Sequence, residues 1–231
     1  MKKFWGYAFN DKFSVGCTGQ TVYLFDDNGN EISRFKDITY GYTPVISPDG
    51  KLLVVKSTGG KLAVYSLESR TLMKKFRFSK VDGAQDDGFC FSSDGKLFIN
   101  IERQKDDLHS AISVYNSADF SLISQVLLGD DMMAGCIEFD QNTDAYYILG
   151  FMRDNYSLVM RHGFVAKFEN YEIKNITAVS DNEYELYYWY KHMELMGFTE
   201  KAYEWLSEAI ELETLKAMKL TLAELYFKYN K

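Results

Sequence analysis

The chain has 231 residues, of which 46% are hydrophobic and 16% aromatic, and its formal net charge is −7. A chain of this size can bury a large core, either as one all-β domain or as two smaller domains. The acidic balance argues against nucleic acid and anionic membranes as partners. No window reaches the roughly 18 uninterrupted apolar residues of a membrane span, and the opening MKKFWGYAFNDKF lacks a signal-peptide pattern. We therefore expect a cytoplasmic protein.

The first predicted unit covers about residues 4–35 and contains four short apolar runs separated by polar turns. The predicted strands are Phe4–Phe9, Phe13–Cys17, Thr21–Phe25 and Glu31–Phe35. Short runs rich in β-branched and aromatic residues, bounded by Gly, Asn and Asp, are typical of antiparallel strands joined by tight turns. This unit therefore predicts one four-stranded antiparallel sheet.

The second unit, about residues 42–77, contains the sequence SPDGK. In this turn Pro48 presets φ, Asp49 accepts hydrogen bonds from nearby backbone N–H groups, and Gly50 adopts a conformation that side chains disfavour. The following runs, Leu52–Lys56 and Leu62–Tyr65, are almost continuously aliphatic. Such runs predict strands that are covered on both faces.

The third and fourth units, about residues 87–127 and 134–177, repeat this plan. The third unit contains SSDGK and the predicted strands Phe89–Phe91, Leu97–Ile101, Ala111–Tyr115 and Phe120–Leu127. The fourth unit has the predicted strands Cys136–Phe139, Ala145–Met152, a run within Ser157–Phe168, and Tyr171–Thr177. An aromatic residue followed by a polar one closes the third strand of every unit. These pairs are Phe25-Asp26, Tyr65-Ser66, Tyr115-Asn116 and Phe168-Glu169. Their spacing of about 40 to 50 residues is typical of propeller blades.

Two segments carry a family resemblance. SPDGK with LAVYSLES, and SSDGK with ISVYNSAD, resemble the repeats of WD-repeat-like β-propellers, over about residues 4–177. The resemblance implies a mainly β fold of four propeller-type, four-stranded antiparallel blades. The chain lacks the Gly-His pair of that family, and Phe-Asp, Tyr-Ser, Tyr-Asn and Phe-Glu replace its Trp-Asp. The family's His–Asp hydrogen-bond network is therefore not expected.

A helical tail is predicted for residues 179–231, after a propeller-like domain of residues 1–178. Ser180 and Glu183 have capping-box spacing, and a helix from Tyr184 to Met196 is expected to end at Gly197. Two more helices are predicted, one capped by Thr199 and one from about Thr214.

The tail also carries a second resemblance. GFTEKAYEWLSEAIEL resembles half of a tetratricopeptide repeat, with Ala202, Leu206 and Ala209 at the packing positions. A single repeat cannot bury its apolar face alone, so the helices are expected to pack on the propeller or on another chain.

The sequence contains no catalytic signature. His109, His162 and His192 have no paired spacing, no HExxH, CxxC, GxSxG or phosphate-binding loop is present, and we predict no catalytic residue, no cofactor and no metal site. Cys17, Cys90 and Cys136 are far apart in apolar runs, which predicts buried reduced thiols. Acidic pairs such as Asp86-Asp87 and Asp106-Asp107 are read as solvated turns.

Apolar residues in connecting segments are more informative, because turns normally carry polar residues. The predicted partner-binding residues are Tyr40, Tyr42, Met132, Met133, Arg153 and Tyr156. Tyr, Met and Arg together have the composition of an interface core. The alternative is that several of these side chains turn inward and fill gaps between blades.

The leading functional hypothesis is a non-catalytic protein–protein interaction or scaffold module. One alternative is a propeller hydrolase or lactonase that holds a divalent cation with Asp and Glu at a central channel, and another is a structural subunit of a larger assembly. The expected partner is another protein or a second copy of the chain, not nucleic acid or membrane. The four blades could close as a compact ring, pair with a second chain into an eight-bladed ring, or use the helices to cover an open edge.

Overall fold

The computed structural model describes residues 3–78, 88–105, 109–154, 157–198, 200, 204 and 220–231. The chain divides into two compact units. The first contains Met1–Asp86 with the short segment Leu195–Phe198, and the second contains Asp87–Glu194 with Thr199–Lys231.

The first unit consists of two four-stranded antiparallel sheets whose strands follow one another in chain order. Their strands are β1 Gly6–Phe9, β2 Phe13–Cys17, β3 Val22–Asp26 and β4 Glu31–Phe35, then β5 Gly41–Ile46, β6 Leu52–Ser57, β7 Lys61–Ser66 and β8 Thr71–Arg77. One hydrophobic cluster joins the two sheets, and within it the rings of Phe35 and Tyr65 stack with centroids 4.3 Å apart. The segment Leu195–Phe198 also packs here, since the Tyr7 amide donates to the Met196 carbonyl at 3.0 Å.

The second unit contains two further sheets of the same type. Their strands are β9 Phe89–Phe91, β10 Leu97–Arg103, β11 Ser110–Asn116 and β12 Leu122–Leu127, then β13 Met132–Asp140, β14 Ala145–Asp154, β15 Ser157–Glu169 and β16 Glu172–Val179. Two helices follow in the described part of the chain, α1 Asp181–Leu195 and α2 Leu222–Tyr229. The predicted mainly β fold of four four-stranded antiparallel sheets is confirmed.

A β-bulge recurs between the third and fourth strands of the sheets. In the first three sheets it lies directly before the aromatic residue that closes the third strand, between Leu24 and Phe25, Val64 and Tyr65, and Val114 and Tyr115. In the last sheet the register shifts between Val165 and Lys167. The bulges shift the pairing of each fourth strand by one residue and so decide which side chains lie opposite each other.

The two Pro/Ser-Asp-Gly turns have the same hydrogen bonds. Ser47 Oγ donates to Asp49 Oδ1 at 2.6 Å, and Asp49 Oδ1 accepts from the Lys51 amide at 3.0 Å. Ser92 and Asp94 repeat these bonds at 2.7 and 3.0 Å, the latter to the Lys96 amide. The predicted repeat is therefore present at the level of single hydrogen bonds.

Two sequence expectations about element boundaries need correction, and one is confirmed. Met132 and Met133 were expected in a loop, but strand β13 begins at Met132, because both residues pair with the apolar end of β14 at Met152 and Phe151. Helix α1 begins at Asp181, directly after Ser180, as the Ser180–Glu183 capping-box spacing predicts, and the Glu183 amide donates to Ser180 Oγ at 3.3 Å. The last helix was expected from about Thr214, but the described helix begins at Leu222, after a Thr221–Glu224 capping box. Residues 214–219 lie outside the described part. The tetratricopeptide-like residues Ala202, Leu206 and Ala209, and Thr199, also lie outside it.

One carboxylate of the last sheet contacts both helices. Glu138 Oε1 of β13 lies 2.7 Å from Lys191 Nζ of α1, and Glu138 Oε2 accepts from the Leu222 amide at the start of α2 at 2.8 Å. Lys191 is buried and also contacts Glu194 at 3.0 Å. Burial by itself would lower the pKa of Lys191, but the two carboxylates more than compensate and raise it.

Asp94→Asn is expected to lower stability at neutral pH. Hydrogen bonds from the Lys96 amide, then from Ser92 and Lys96 side chains, lower the pKa of Asp94 from 3.8 to about 2. A lowered pKa means that the carboxylate stabilises the fold above pH 3.8 and that this contribution is lost as pH falls toward 2. Urea unfolding from pH 7 downward should show the difference between variant and wild type shrinking across that window. The exposed turn variant Asp11→Asn is the control, and a difference that does not change with pH would contradict the expectation.

Lys191→Met is expected to lower the free energy of unfolding by about 3 kcal/mol, because it leaves Glu138 and Glu194 without their buried cation. Their partial exposure, 30% and 32%, places the loss at the low end of the range for buried pairs. The Tm should fall by roughly 6–12 °C. Lys228→Met, which removes a half-exposed partner of Glu183, is the matched control and should cost about 0–1 kcal/mol. Equal losses for the two variants would disprove the role of the Glu138 pair.

Candidate functional site

The first unit contains a pocket of about 510 Å³ at the end of the sheet formed by β5–β8. It is lined by Thr39, Tyr40, Ser57, Thr58, Gly59, Lys61 and Arg77. These residues come from the segment before β5, the β6–β7 turn and the last residue of β8. We call this the Tyr40 pocket.

Hydrogen bonds fix the floor of the Tyr40 pocket. The buried Ser57 Oγ donates to the Thr39 carbonyl at 2.7 Å and accepts from the Gly59 amide at 3.0 Å. The Thr58 amide donates to the Tyr40 carbonyl at 3.0 Å. These bonds join the β6–β7 turn to the segment before β5. The floor of the pocket therefore forms from contacts within the chain and needs no bound partner.

Tyr40 itself projects from this floor. Its side chain is 58% exposed, and its φ of 57° lies in the left-handed region that costs a non-glycine residue about 1–2 kcal/mol. The next residue is closely packed, since a Cβ at Gly41 would lie 3.0 Å from side chains of both Ile38 and Val55 and would displace them slightly. A large aromatic ring thus stands in solvent on a constrained backbone, which is a feature of binding surfaces more than of solvated turns.

Three cations lie on one face of the sheet beside Tyr40. Lys61 of β7 pairs directly with Arg77 of β8, and Lys75 precedes Arg77 by two residues on the same strand face. Lys75 Nζ donates to the Asp37 carbonyl at 2.9 Å, which brings it against the segment that leads to Tyr40. We call Lys61, Lys75 and Arg77 the basic face. The KKFR sequence shows part of it, but the position of Lys61 opposite Arg77 follows only from the strand register.

The two predicted tyrosines have different surroundings. Tyr42 on β5 is half-buried, and its ring lies against Gly19, where a Cβ would come within 2.7 Å of the ring. Gly19 has φ +84° and leaves room for this contact. Tyr40 is therefore the exposed member of the pair, while Tyr42 packs within the first unit.

The remaining predicted partner-binding residues belong to the second unit. Met132 and Met133 are buried, with 8% and 1% exposure, in hydrophobic clusters of that unit. They lie at the end of the β13–β14 pair that also carries Arg153, of which the structure describes the backbone. Tyr156 lies outside the described residues. The two methionines have the inward-facing arrangement that was the alternative to an interface, and the predicted role of Arg153 and Tyr156 stays a prediction.

The second unit also has an apolar groove of about 400 Å³ between β12 and β16. Leu127, Tyr171 and Ile176 line it and are exposed by 57%, 43% and 45%. The residues that line this groove are uncharged except for Glu172, whose Oε2 lies 3.5 Å from Lys174 Nζ. The groove therefore differs from the Tyr40 pocket, which has Lys61 and Arg77 in its lining.

Metal, thiol and membrane features are limited in the part of the chain that the structure describes. No group of three or more His, Cys, Asp or Glu side chains there is placed to hold a metal ion, and no described helix is long and apolar enough to cross a membrane. The acidic pairs Asp86-Asp87 and Asp106-Asp107 lie outside the described residues. Burial raises the pKa of the Cys17 and Cys90 thiols, which keeps them protonated and unreactive.

Comparisons with known proteins identify the fold. No family model and no curated protein sequence matches the chain. A WD40 domain of Toxoplasma gondii coronin superposes with a TM-score of 0.58 and 14% identity over 78% of this chain and 46% of that one. Kuenenia stuttgartiensis hydrazine synthase superposes with a TM-score of 0.60 and 15% identity over 74% and 51%. The chain thus spans about half the length of each match, and its four sheets have a β-propeller type of fold.

Tyr40→Asn is expected to leave stability unchanged or raise it by about 1 kcal/mol, because asparagine tolerates the left-handed conformation better than tyrosine. Tyr42→Asn is the contrasting variant and should cost about 2 kcal/mol, since its ring packs against Gly19. Thermal unfolding of both variants measures this. A loss of more than about 1 kcal/mol for Tyr40→Asn would mean that the Tyr40 ring stabilises the fold.

Proposed function

We propose that this chain is a non-catalytic protein-interaction module that binds a partner protein at the Tyr40 pocket. The observation that supports this most directly is Tyr40, an exposed ring at an unfavourable backbone angle above a hydrogen-bonded floor. Tyrosine is enriched among the residues that dominate binding energy. A rigid floor lowers the entropy lost when a partner binds.

The fold is compatible with this role but does not establish it, because propeller folds carry many functions. Support for this role comes from the exposed Tyr40 ring and from the hydrogen-bonded floor of its pocket, which has a volume of about 510 Å³. A cytoplasmic location and a scaffold role inside a larger assembly are part of the proposal. A second copy of the chain is one form that the partner can take, including a pairing that completes an eight-bladed ring.

Affinity capture with the full chain tests the proposal. Wild type, Tyr40→Asn and Tyr171→Asn serve as baits, and co-purifying proteins are quantified by mass spectrometry. Tyr171 is a matched control, since it is also an exposed tyrosine with a positive φ, 62° against 57°, but it lines the groove of the second unit. We expect the partner to bind wild type and Tyr171→Asn, and to bind Tyr40→Asn at least about 30-fold more weakly in a titration with purified partner.

Three outcomes decide the matter. Loss of the partner with Tyr171→Asn alone would place binding at the other groove and contradict the proposed site. Equal affinity for all three baits would also contradict it. Light scattering at low micromolar concentration identifies self-association, and a dimer that Tyr40→Asn dissociates would identify the partner as a second copy.

A further inference from the structure

We infer that the apolar groove between β12 and β16 is a second binding surface, which takes an extended apolar segment that ends in Lys or Arg. The segment pairs with the outer edge of β12 and places its cation beside Asp130 and Asp131. This surface is separate from the Tyr40 pocket, so the inference goes beyond the proposed function and does not rest on it. Three features carry it: the composition of β12, the apolar groove beside its edge and the acidic turn at the end of the groove.

The composition of β12 differs from that of the other outer strands. Strand β12 reads LISQVL and has no charged residue, whereas β4 and β16 have two each and β8 has three. Charged side chains on an outer strand discourage pairing with further strands. This protection is missing from β12, where Leu122, Ile123 and Leu127 are instead 54%, 48% and 57% exposed. Strand β12 therefore has the composition of an edge that accepts another strand.

The outer edge of β12 is open to an added strand. Strand β12 lies at the end of its sheet and pairs with β11 on one side, in unbroken register from Ser124 to Leu127. Within the described part of the chain, no strand pairs with its other side. An extended peptide can add to such an edge through main-chain hydrogen bonds.

The groove beside this edge gives the added strand an apolar surface. The sheets β9–β12 and β13–β16 share one hydrophobic cluster, and Val126 of β12 and Ile173 of β16 pack against it and line the groove. Tyr171 and Ile176 line the groove on the side of β16. Alternate side chains of a strand share one face, so every second side chain of the added strand can turn toward these residues. The groove therefore selects a segment with apolar residues at alternate positions.

An acidic turn lies at one end of the groove. Gly129 lines the groove, and the Met132 amide donates to its carbonyl at 3.1 Å, which closes a turn around Asp130 and Asp131. Asp131 Oδ1 is buried and accepts no hydrogen bond from the residues that the structure describes. Neither Asp130 nor Asp131 forms an ion pair with those residues. A Lys or Arg at the end of the bound segment therefore meets two carboxylates that are available as acceptors.

The charges at the two ends of β12 disfavour a second copy of the chain as the occupant. Antiparallel pairing of two β12 strands, centred between Ser124 and Gln125, places Asp119 of each strand opposite Asp130 of the other. Like charges in opposite positions destabilise a sheet. The formal charge of −7 adds repulsion between copies and attracts a basic segment instead.

Fluorescence anisotropy with the full chain tests this inference. The probes are fluorescein-labelled peptides of about ten residues that alternate Val with Thr and carry Lys, Gln or Glu at both ends. Two further Lys-flanked peptides have Ser in place of Val, or Pro in place of the central Thr residues, since Pro lacks the amide donor. We expect the Lys-flanked Val peptide to bind at least about tenfold more tightly than each of the other four. Its affinity should fall as salt rises.

Groove variants locate the apolar part of the site. Leu127→Ser and Ile176→Ser should each weaken binding of the Lys-flanked Val peptide at least about tenfold. Met73→Ser is the matched control, because Met73 is 53% exposed on β8, an outer strand of the first unit. It should leave the affinity unchanged. Both groove residues are exposed, so the variants are expected to fold, and circular dichroism with thermal unfolding checks this.

Charge variants locate the acidic end. Asp130→Asn and Asp131→Asn should each weaken binding of the Lys-flanked Val peptide about three- to tenfold and leave the Gln-flanked peptide unaffected. Asparagine tolerates the left-handed φ of 63° at Asp131, so this substitution keeps the turn. Asp11→Asn gives the same change in net charge at an exposed turn of the first unit and should have no effect.

Each remaining outcome overturns a defined part of the inference. Equal affinity of the Lys- and Gln-flanked peptides overturns the basic partner, and equal affinity of the Thr and Pro peptides overturns strand addition. Absence of binding, or equal effects of Leu127→Ser and Met73→Ser, overturns the site. A dimer in light scattering that Leu127→Ser dissociates identifies a second copy as the occupant and overturns the peptide. Tyr40→Asn should leave peptide binding unchanged, and a loss with this variant alone would place the peptide at the Tyr40 pocket instead.

Discussion

Strands β6, β7, β10 and β11 carry apolar side chains toward both faces of their sheets and are buried over almost their whole length. Both faces of these central strands must therefore be covered, since each buried aliphatic side chain contributes about 1.5–3 kcal/mol only when water is excluded. The fourth strands β8 and β12 are mostly exposed instead. This leaves the outer strands and the connecting segments as the places where polar and aromatic groups can face a partner.

In the last sheet, helices α1 and α2 cover apolar side chains of the strands. Glu138 contacts both of them, because it pairs with Lys191 near the end of α1 and accepts a hydrogen bond from the Leu222 amide at the start of α2. Leu222, Leu225 and Tyr226 of α2 are then buried in the cluster that contains Tyr147. A buried lysine with two carboxylates adds little stability compared with apolar side chains of the same size. It disfavours other packings of the helices, because they would leave a buried charge without its partner.

Much of the fold could be predicted from the sequence because its signals are local. The Pro/Ser-Asp-Gly turns and the aromatic–polar pairs that end β3, β7, β11 and β15 depend on a few adjacent residues, and the structure has them where predicted. Met132 and Met133 were misplaced because their strand state depends on pairing with the distant β14. The Thr221–Glu224 capping box is visible in the sequence. The helix start was nevertheless predicted near Thr214, because apolar residues at helical spacing continue back to Leu215.

The candidate site depends on a feature that no local pattern shows. Pairing of β7 with β8 begins at Ser66 with Thr71 and Tyr65 with Leu72, and without the bulge this register would set Lys61 opposite Phe76. The bulge between Val64 and Tyr65 shifts the pairing by one residue and sets Lys61 opposite Arg77 instead. The same irregularity in the other sheets shows that it belongs to the repeated scaffold. Among the described strand pairs, only β7 and β8 place a lysine opposite an arginine. The bulge is therefore a general feature of the four sheets, whereas the Lys61–Arg77 pair is specific to the candidate site.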